Sequence, residues 1–384
     1  MKPYTRILDL KESHTRSIFL FGPRLTGKTS LLRRQFPDSP YYDLLQSDVF
    51  YKISRRQSTL REECIRHFSI QKTPVIIDEI QKLPALLDEV HSLIESHGAT
   101  FILTGSSARK LKRGGANLLG GRARTRHLHP CVFQEISDFD LVRAVNFGTL
   151  PSIYQSDDPQ EDLIAYCGNY LQEEIQAEGL VRKMDGFSRF LQVAALCNTE
   201  LINYDSLASD TGVASKTVQG YFGILEDTFI GTTLKPYRKT IHRKAIGTAK
   251  FYFFDVGVSN CLAERWQISP KSELFGKSFE HFIFTELRSY LDYKRDRRPL
   301  CFWRDHHGNE VDFIIGDDVA IEVKGTDMVS EKHLKGLKKF TEEIDCKHKV
   351  VVSCDDRPRT IGAIEVMPWR YFLEKLWGGG FADC

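Results

Sequence analysis

Short apolar runs alternate with amphipathic stretches along the first 130 residues. The runs SIFLF, PVIID and TFILT begin at Ser17, Pro74 and Thr100, and stretches with helical spacing, such as residues 83–96, lie between them. Strands that alternate with helices of this length build a parallel sheet whose two faces are both covered. The pattern therefore predicts an α/β domain over residues 1–130.

The pattern changes after Pro130. Residues 131–188 show mainly helical spacing, without an obvious strand signal. Between 189 and 262, two short helices joined at Gly212 precede two β-rich pieces, FIGTTLKPY and KFYFFDVG, that flank a basic hairpin. Two helices joined by a turn and followed by a hairpin are typical of a winged helix. We therefore predict a helical segment over 131–188 and a winged helix over 189–262.

The last part of the chain, residues 263–384, mixes helical and β-rich patterns. It begins with the helical run FEHFIFTELRSYL and contains a second helical stretch at about 331–344. Its β-rich runs are CFWR, EVDFII, VAIEVK, KVVVS and IEVMPW. This order predicts a second α/β domain at the C-terminal end.

Composition agrees with a folded chain of several domains. The length of 384 residues exceeds what one ordinary core organises. Hydrophobic residues at 41%, charged residues at 27% and a mean hydropathy of -0.31 argue against a disordered or membrane-embedded chain. No apolar run approaches the roughly 20 residues that cross a bilayer. The nine scattered cysteines include no C-x-x-C pair, which favours reduced thiols in a cytoplasmic protein. The lack of a long apolar run predicts no membrane partner.

The formal net charge of +2 hides local basic clusters. The segment 105–129 contains no Asp or Glu and carries Arg109, Lys110, Lys112, Arg113, Arg122, Arg124 and Arg126. Such a segment can bind a phosphate backbone or supply an arginine to the nucleotide of a neighbouring subunit. A solvated basic loop with neither role is the alternative. A second basic cluster lies at 235–250.

A phosphate-binding motif follows the first apolar run. Residues 22–29, GPRLTGKT, match G-x-x-x-x-G-K-[ST] between a predicted strand and a predicted helix, which is the context that this motif requires. Lys28 is expected to reach the β- and γ-phosphates, and Thr29 to bind Mg²⁺. The residues expected to surround the phosphates are Gly22, Pro23, Arg24, Leu25, Thr26, Gly27, Lys28, Thr29 and Ser30.

The next two apolar runs end in polar residues that complete a hydrolytic site. The run VIID ends in Asp78, expected to hold Mg²⁺ through water, and Glu79 follows as the residue expected to polarise the attacking water. Ser106 follows the run TFILTG, where a hydroxyl can sense the γ-phosphate. A polar strand end without that role is the alternative for Ser106. Together these motifs predict hydrolysis of ATP with Mg²⁺.

The motifs in this order resemble one group of proteins. GPRLTGKT, VIIDEIQKLP, FILTGSSARKL, LLGGRA, KFYFFDVGV and the later FE, EVDF and IEVK resemble the prokaryotic AAA+ ATPases that carry an uncharacterised C-terminal nuclease-like domain. The resemblance implies an AAA+ P-loop core over 1–130, a helical lid over 131–188, a winged helix over 189–262 and a restriction-endonuclease-like domain over 263–384. The helix YLQEEIQAE departs from the group, because we expect Asp near Glu174.

The resemblance also implies roles and an assembly. Ser106 takes the sensor position, and Arg122 is the arginine expected to act on a neighbouring subunit's nucleotide. AAA+ proteins hydrolyse ATP at subunit interfaces, so a ring is implied, expected to be a hexamer. Some relatives resemble motors that move DNA branch points. On that reading the DNA contacts come from Lys216, Thr217, Arg238, Lys239, Arg243 and Lys244. A winged helix used only for protein contacts is the alternative.

Acidic residues near the C-terminal end follow the PD-(D/E)XK nuclease pattern. Glu280 lies on a predicted helix, Asp312 at a predicted strand end, and Glu322 and Lys324 on the next strand. Because side chains alternate along a strand, Glu322 and Lys324 share a face. Asp312 and Glu322 are expected to hold a metal, and Lys324 to position its water. The alternative is a buried ion cluster in a domain that holds DNA or docks a partner.

Three functions are consistent with these patterns. The first is a ring-forming ATPase motor that acts on duplex or branched DNA, such as Holliday-junction migration or remodelling in recombination and repair. The second is an ATP-gated, metal-dependent DNA nuclease, with defence against foreign DNA as one role. The third is a nucleotide-switched ATPase that binds a protein partner.

Overall fold

The computed structural model describes residues 4–107, 111, 119–170, 184–239, 247–270 and 272–382. The chain divides into two units. The first contains the residues up to Pro130 and the short segment Asp227–Ile230, and the second contains Cys131–Glu226 and the residues from Gly231 onwards. The predictions for Arg109, Lys110, Lys112, Arg113, Glu174, Arg243 and Lys244 lie outside the described residues.

The first unit contains a parallel five-stranded sheet in the order β2-β3-β4-β1-β5. The side chains of β1, β3 and β4 are all buried, because these central strands are covered on both faces. The predicted parallel α/β core is thus confirmed. The strands are β1 Ser17–Phe21, β2 Tyr41–Asp43, β3 Val75–Asp78, β4 Phe101–Gly105 and β5 Ala123–His127.

Two strands of this sheet were not predicted. β2 has only three residues, and β5 has the sequence ARTRH within the segment interpreted above as a basic loop. β5 pairs only with β1, so it is an edge strand and keeps two of its side chains exposed. An edge strand tolerates charged side chains, and the apolar run that marks a central strand is therefore missing.

In the described part of the first unit, four α-helices of eight or more residues accompany the sheet. The buried residues Ile77, Leu103, Leu86 and Val90 belong to one apolar cluster that joins strands β3 and β4 to a helix. The helix Leu86–His97 is followed by Gly98, whose left-handed φ of 60° suits a glycine C-cap. The helices are α1 Lys28–Gln35, α2 Ser47–Arg55, α3 Ser58–Ile70 and α4 Leu86–His97.

The second unit begins with helices. Its first helices are Leu141–Phe147, Pro151–Tyr154, Pro159–Ala165 and Met184–Leu196. The two short helices predicted around Gly212 are Tyr204–Thr211 and Ser215–Asp227. Gly212 ends the first of them with a φ of 67°, and the Asn203 side chain caps its N-terminus. Strands β6 Gly231–Pro236 and β7 Lys250–Phe253 follow as an antiparallel pair.

The second unit also contains an eight-stranded mixed sheet in the order β12-β13-β11-β10-β9-β8-β6-β7. Strand β6 pairs with β8 at Lys235 and Cys301, so the β6–β7 pair extends this sheet across the predicted boundary at 262 and 263. The four-part division of the chain stays a prediction. The remaining strands are β8 Leu300–Arg304, β9 Glu310–Ile315, β10 Val319–Lys324, β11 His348–Ser353, β12 Arg359–Ile361 and β13 Ile364–Pro368.

From residue 247 onwards, the described residues of this unit form the further α-helices Val256–Leu262, Glu273–Lys294, Lys335–Thr341 and Trp369–Trp377. The stretch predicted as one helix at about 331–344 is a 3₁₀ turn, Glu331–Leu334, followed by the helix Lys335–Thr341. Among the residues that the structure describes, none of the helices is both long and apolar enough to span a bilayer.

Asp255 joins two helical parts of the second unit. Its buried carboxylate accepts hydrogen bonds from the backbone N–H of Thr149 at 2.8 Å and of Val258 at 3.1 Å. Burial raises the pKa of Asp255 to about 6. Gly148 has a φ of 72°, and a Cβ there would meet Oδ1 of Asp255 at 2.0 Å. The FFDVG sequence therefore has a structural role at this junction.

Candidate functional site

The GPRLTGKT loop connects β1 to α1. Gly27 takes a left-handed φ of 90° just before α1, and Leu25 has a φ of 61°. A Cβ on Gly22 would meet the carbonyl oxygen of Leu128 at 2.3 Å, so the backbone passes too close there for any other residue. The first N–H groups of α1 point out of the helix N-terminus, where an anion is stabilised.

Lys28 lies across this loop. It is 6% exposed, and its Nζ donates hydrogen bonds to the carbonyl oxygens of Gly22 at 2.7 Å and Pro23 at 3.0 Å. The ammonium is thus held against the loop that was predicted to surround phosphates. Exchange of these carbonyl acceptors for phosphate oxygens needs only a local movement of the side chain.

Asp78 and Thr29 are brought together as predicted. The Thr29 hydroxyl donates to Oδ2 of Asp78 at 2.9 Å. Two further hydroxyls, those of Tyr41 and Thr104, also donate to the Asp78 carboxylate. Burial and the neighbouring Asp78 carboxylate raise the pKa of Tyr41. Sequence reasoning missed Tyr41, because its strand β2 gives no apolar signal.

Glu79 lies next to Asp78 with a left-handed backbone φ of 59°. Its N–H donates to the Thr104 hydroxyl at 3.2 Å. Its carboxylate accepts from the Gln81 side-chain amide, which also donates to the Ser106 hydroxyl at 3.3 Å. The structure thus links Glu79 to Ser106 through a residue that sequence reasoning did not select, although Gln81 lies in the quoted motif VIIDEIQKLP.

These residues fit Mg²⁺ and a nucleotide. A hydroxyl and a carboxylate are oxygen ligands of the kind that Mg²⁺ takes, and Thr29 and Asp78 already lie within hydrogen-bond distance. The glycine turn, the helix N-terminus and Lys28 supply donors for phosphate oxygens.

Arg6 fixes the end of the phosphate loop and was not predicted. Its guanidinium donates to the carbonyl oxygens of Thr26 at 2.5 Å and His129 at 2.6 Å. Thr26 in turn donates through its hydroxyl to the Pro23 carbonyl at 2.8 Å. Arg6 therefore ties the loop to the segment that follows β5.

The basic segment 105–129 is compensated by acids that are distant in the sequence. Arg122 pairs with Glu95 of helix α4. Arg124 and Arg126 both pair with Glu12, at 2.7 Å and 2.6 Å. The segment itself contains no Asp or Glu, and the acids that pair with these three arginines could not be predicted because they lie far away in the sequence. The role of Arg122 on a neighbouring subunit stays a prediction.

The predicted DNA contacts that the structure describes are exposed. Lys216 and Thr217 lie in the first turn of the helix Ser215–Asp227, directly after the turn at Gly212. Arg238 and Lys239 follow β6, and Lys239 pairs with Asp317 at 2.6 Å. These side chains lie in the second unit.

The predicted nuclease residues cluster on β9, β10 and the helix Glu273–Lys294. Nζ of Lys324 lies 2.6 Å from Oε1 of Glu322 and 3.8 Å from Oδ2 of Asp312. Asp312 lies inside β9 and not at a strand end as expected, and its Oδ2 accepts from the N–H of Val323 at 2.8 Å. The structure brings Asp312, Glu322 and Lys324 together.

Lys250 is the residue that sequence reasoning placed wrongly. Grouped by its sequence with the exposed basic hairpin, it instead has a buried side chain that points to Glu280 and Glu310. Within the described part of the chain, no group of three or more His, Cys, Asp or Glu side chains is arranged to hold a metal ion. As arranged in this structure, the cluster does not fit the predicted nuclease metal.

Comparison with known families assigns the first unit. Residues 14–137 match the family described as AAA domain. The first unit is a P-loop ATPase domain of the AAA+ type. Residues 138–269 and 275–372 match two further families, each described as a domain of unknown function, DUF8612 and DUF4143. No curated protein sequence matches the chain.

Several solved structures resemble the chain weakly. One is the Walker-type ATPase PABY2304 of Pyrococcus abyssi, with 16% identity, 68% of this chain and 98% of that chain covered, and a TM-score of 0.45. The Aeropyrum pernix ORC1 protein in complex with DNA has 14% identity, coverage of 65% and 86%, and a TM-score of 0.25. The signal transduction ATPase PH0952 of Pyrococcus horikoshii, which has a tetratricopeptide repeat sensor, has 13% identity, coverage of 73% and 45%, and a TM-score of 0.23. Similarity at this level does not assign an activity.

Proposed function

We propose that the AAA domain hydrolyses ATP with Mg²⁺ at the site formed by the phosphate loop, Asp78 and Glu79. The observation that carries the proposal is the 2.9 Å hydrogen bond between Thr29 and Asp78 beside the buried Lys28. The proposal is supported by a hydroxyl, a carboxylate, an ammonium and a helix N-terminus that lie around one loop. Glu79 follows Asp78 directly, and we assign it to the attacking water and not to the metal.

Each residue has a separate part in the proposed reaction. Lys28 exchanges the carbonyl oxygens of Gly22 and Pro23 for phosphate oxygens and so stabilises their charge. Thr29 and Asp78 hold Mg²⁺, which neutralises charge that develops on the phosphates when it is bound. Glu79 orients the attacking water by accepting one of its protons in a hydrogen bond. Ser106 contacts the γ-phosphate from the end of the neighbouring strand β4.

Two substitutions test this assignment. Lys28→Ala removes the phosphate cation, and we expect loss of both nucleotide binding and phosphate release. Glu79→Gln keeps the shape and removes the carboxylate charge that polarises the water, so we expect retained ATP binding with phosphate release slowed by roughly a hundredfold or more. Glu62→Gln, an exposed change of the same kind on α3, is the matched control. Phosphate release by Glu79→Gln at the rate of the unaltered protein would count against the site.

We further propose that the ATPase acts on DNA, duplex or branched, as a ring of subunits. Supporting this is the exposed pair Lys216 and Thr217 at the start of a helix that follows a tight turn, together with the exposed Arg238 after β6. Holliday-junction migration in recombination or repair is the process of this class that we favour. A hexamer with Arg122 acting on the neighbouring subunit's nucleotide is the corresponding assembly.

The DNA proposal is tested by ATPase stimulation. We expect a four-way junction or duplex to raise phosphate release, and Lys216→Glu to remove that increase while the basal rate stays. Lys294→Glu, at the end of the long helix of the same unit, controls for the change in charge. If no DNA changes the basal rate of phosphate release at low salt, the result would instead favour the nucleotide-switched ATPase that binds a protein partner. Junction strands that separate intact in native gels indicate a motor, whereas cut strands indicate a nuclease.

A further inference from the structure

The first inference concerns Lys250, which begins strand β7. Its side chain is 4% exposed, and its Nζ lies 3.2 Å from Oε1 of Glu280 and still closer to Glu310. An ammonium group loses its hydration when it is buried, so it is stable only beside compensating charge. Glu280 provides that compensation from the long helix, Glu273–Lys294, and Glu310 provides it from β9.

The carboxylates of the predicted nuclease pattern, Glu280, Asp312 and Glu322, all have hydrogen-bond or ion-pair donors beside them. Oε1 of Glu280 also accepts the Tyr252 hydroxyl at 2.6 Å, so both of its neighbours are donors from β7. Elsewhere in the cluster, Lys324 forms an ion pair with Glu322, and the N–H of Val323 donates a hydrogen bond to Oδ2 of Asp312. Oε2 of Glu322 is a buried oxygen without a hydrogen-bond partner in the described chain. Mg²⁺ is usually held by one or two carboxylates together with several waters, and in this cluster each carboxylate already has an ammonium or N–H donor on one of its oxygens.

We propose that the Lys250 ammonium is the resident cation of this cluster and keeps a divalent metal out of it. The cluster contains further charged and titratable groups that interact with the Lys250 ammonium or with one another. They are Glu280, Glu310, Asp312, Glu322, Lys324 and the Tyr252 hydroxyl. The cluster then joins β7 to the long helix and β9, and the nuclease-like part of the chain does not cut DNA. The proposal is independent of the ATPase activity.

Binding of Mn²⁺ to the full chain tests the proposal. The experiment uses electron paramagnetic resonance of free Mn²⁺ without nucleotide, and every protein carries Thr29→Ala so that the nucleotide site contributes no metal. We expect the parent to show no Mn²⁺ binding that depends on Asp312. Lys250→Met is expected to bind Mn²⁺ with an affinity at least about tenfold higher than any binding by the parent. Adding Asp312→Asn to the Lys250→Met chain is expected to remove this binding. Lys277→Met, which breaks the pair with Glu200, is the matched control.

Two results would overturn the proposal. One is Mn²⁺ binding by the parent that Asp312→Asn abolishes, because metal and Lys250 would then coexist. This comparison needs no Lys250 variant and so decides the matter even where Lys250→Met fails to fold. The other is a folded Lys250→Met that gains no Mn²⁺. As a second readout, Mn²⁺ is expected to raise the melting temperature of Lys250→Met and not that of the parent.

A second inference rests on the buried amide of Gln81, which is 5% exposed. Its Nε2 donates both to the Glu79 carboxylate and to the Ser106 hydroxyl. A carboxylate only accepts hydrogen bonds, so the NH₂ group must face Glu79. The amide oxygen then has no hydrogen-bond partner within the described residues and lies against Gly105, where a Cβ would meet it at 2.6 Å.

The geometry points to Gln81 as a positioning residue for Glu79, an inference that rests on the proposed ATPase function. Gly105 at the end of β4 leaves the space for the amide, and Ser106 fixes its outer end. Gln81 thereby sets the direction of the Glu79 carboxylate relative to Ser106.

Kinetics separate positioning from stability. For Gln81→Leu we expect an unchanged Kd for a fluorescent ADP analogue and a kcat lower by about tenfold or more. Gln81→Glu places a second carboxylate beside Glu79, so the pH profile of kcat is expected to shift to higher pH. Gln71→Glu, at the exposed end of α3, is the matched control.

The outcomes separate the two claims. If the unaltered protein hydrolyses ATP and Gln81→Leu has the same kcat, the positioning role is wrong while the ATPase assignment stands. If only the Kd changes, the role is structural and the inference is again wrong. If the unaltered protein releases no phosphate, the proposed function fails and this inference fails with it.

Discussion

At the scale of single residues, the nucleotide site is organised by hydroxyl groups that converge on one carboxylate. Thr29, Tyr41 and Thr104 reach Asp78 from α1, β2 and β4. Only Thr29 and Asp78 belong to motifs that a sequence reveals by spacing. Tyr41 and Thr104 depend on which strands are neighbours, and the sheet order β2-β3-β4 supplies that information only once the chain is folded.

Arg6 provides a first test at this scale. Arg6→Ala removes charge-assisted hydrogen bonds to Thr26 and His129, which leaves the end of the phosphate loop less firmly held. We expect the affinity for a fluorescent ADP analogue to fall by about tenfold, with a smaller change in kcat. Arg16→Ala, at an exposed position, should leave the affinity unchanged. Equal affinities of Arg6→Ala and the unaltered protein would contradict the role of Arg6.

Glu286 provides a test of pH dependence. This buried carboxylate accepts from Nε1 of Trp377 at 2.8 Å and from the N–H of Phe133 at 2.7 Å, and Glu135 lies nearby. Burial raises the pKa of Glu286 to about 8 in the folded protein. The folded state therefore holds a proton that the unfolded state has lost, so stability falls as pH rises towards 8.

The measurable window lies between pH 7 and 8. Burial lowers the pKa of His281 to about 4, so this residue has titrated below the window. Burial raises the pKa of Glu280 to about 7, so Glu280 still loses protons within the window. We expect Glu286 to contribute about 1 kcal/mol to the fall in the free energy of unfolding of the second unit from pH 7 to 8. The fall should be smaller by about this amount in Glu286→Gln. All four tryptophans lie beyond residue 260, so their fluorescence reports on this unit. A fall of the same size in Glu286→Gln would rule out Glu286 as its cause.

At the scale of elements, apolar runs identify the strands that are buried and miss those that are not. β1, β3 and β4 of the first unit and β8, β9, β10, β11 and β13 of the second follow predicted runs. β2, β5 and β12 are short, polar or at a sheet edge, and nothing in their sequence requires two covered faces. Lys250 shows the same limit for side chains, because burial of a charged residue depends on partners that lie far along the chain.

The junction at Asp255 gives a prediction for elements. Gly148 has φ 72° and ψ -166°, a conformation that is essentially restricted to glycine, and a Cβ there collides with Asp255. We expect Gly148→Ala to lower the free energy of unfolding of the second unit by about 3 kcal/mol or more. Gly212→Ala is the control, because Gly212 is left-handed but has open space around its Cβ, and it should cost about 1 kcal/mol. Equal losses in urea denaturation would contradict the packing role of Gly148.

At the scale of the whole molecule, net charge says little about partners. Arg122, Arg124 and Arg126 pair with acids inside the first unit, and Lys250 pairs with acids inside the second. The DNA proposal therefore depends on the exposed Lys216, Thr217 and Arg238, and not on the number of basic residues. If Lys216 and Arg238 neutralise phosphates, each such contact should steepen the salt dependence of binding by about 0.9 in log–log slope. Lys216→Glu should reduce that slope when binding to a duplex is measured against salt concentration.

The central claim is that the AAA domain hydrolyses ATP through Glu79 at a site built by Lys28, Thr29 and Asp78. The most direct measurement is phosphate release in a single turnover by the unaltered protein and by Glu79→Gln, at equal occupancy by ATP and with Mg²⁺ present. We expect release by the unaltered protein and a rate lower by about a hundredfold in Glu79→Gln. Equal rates in the two proteins, or no release by the unaltered protein at full occupancy, would contradict it.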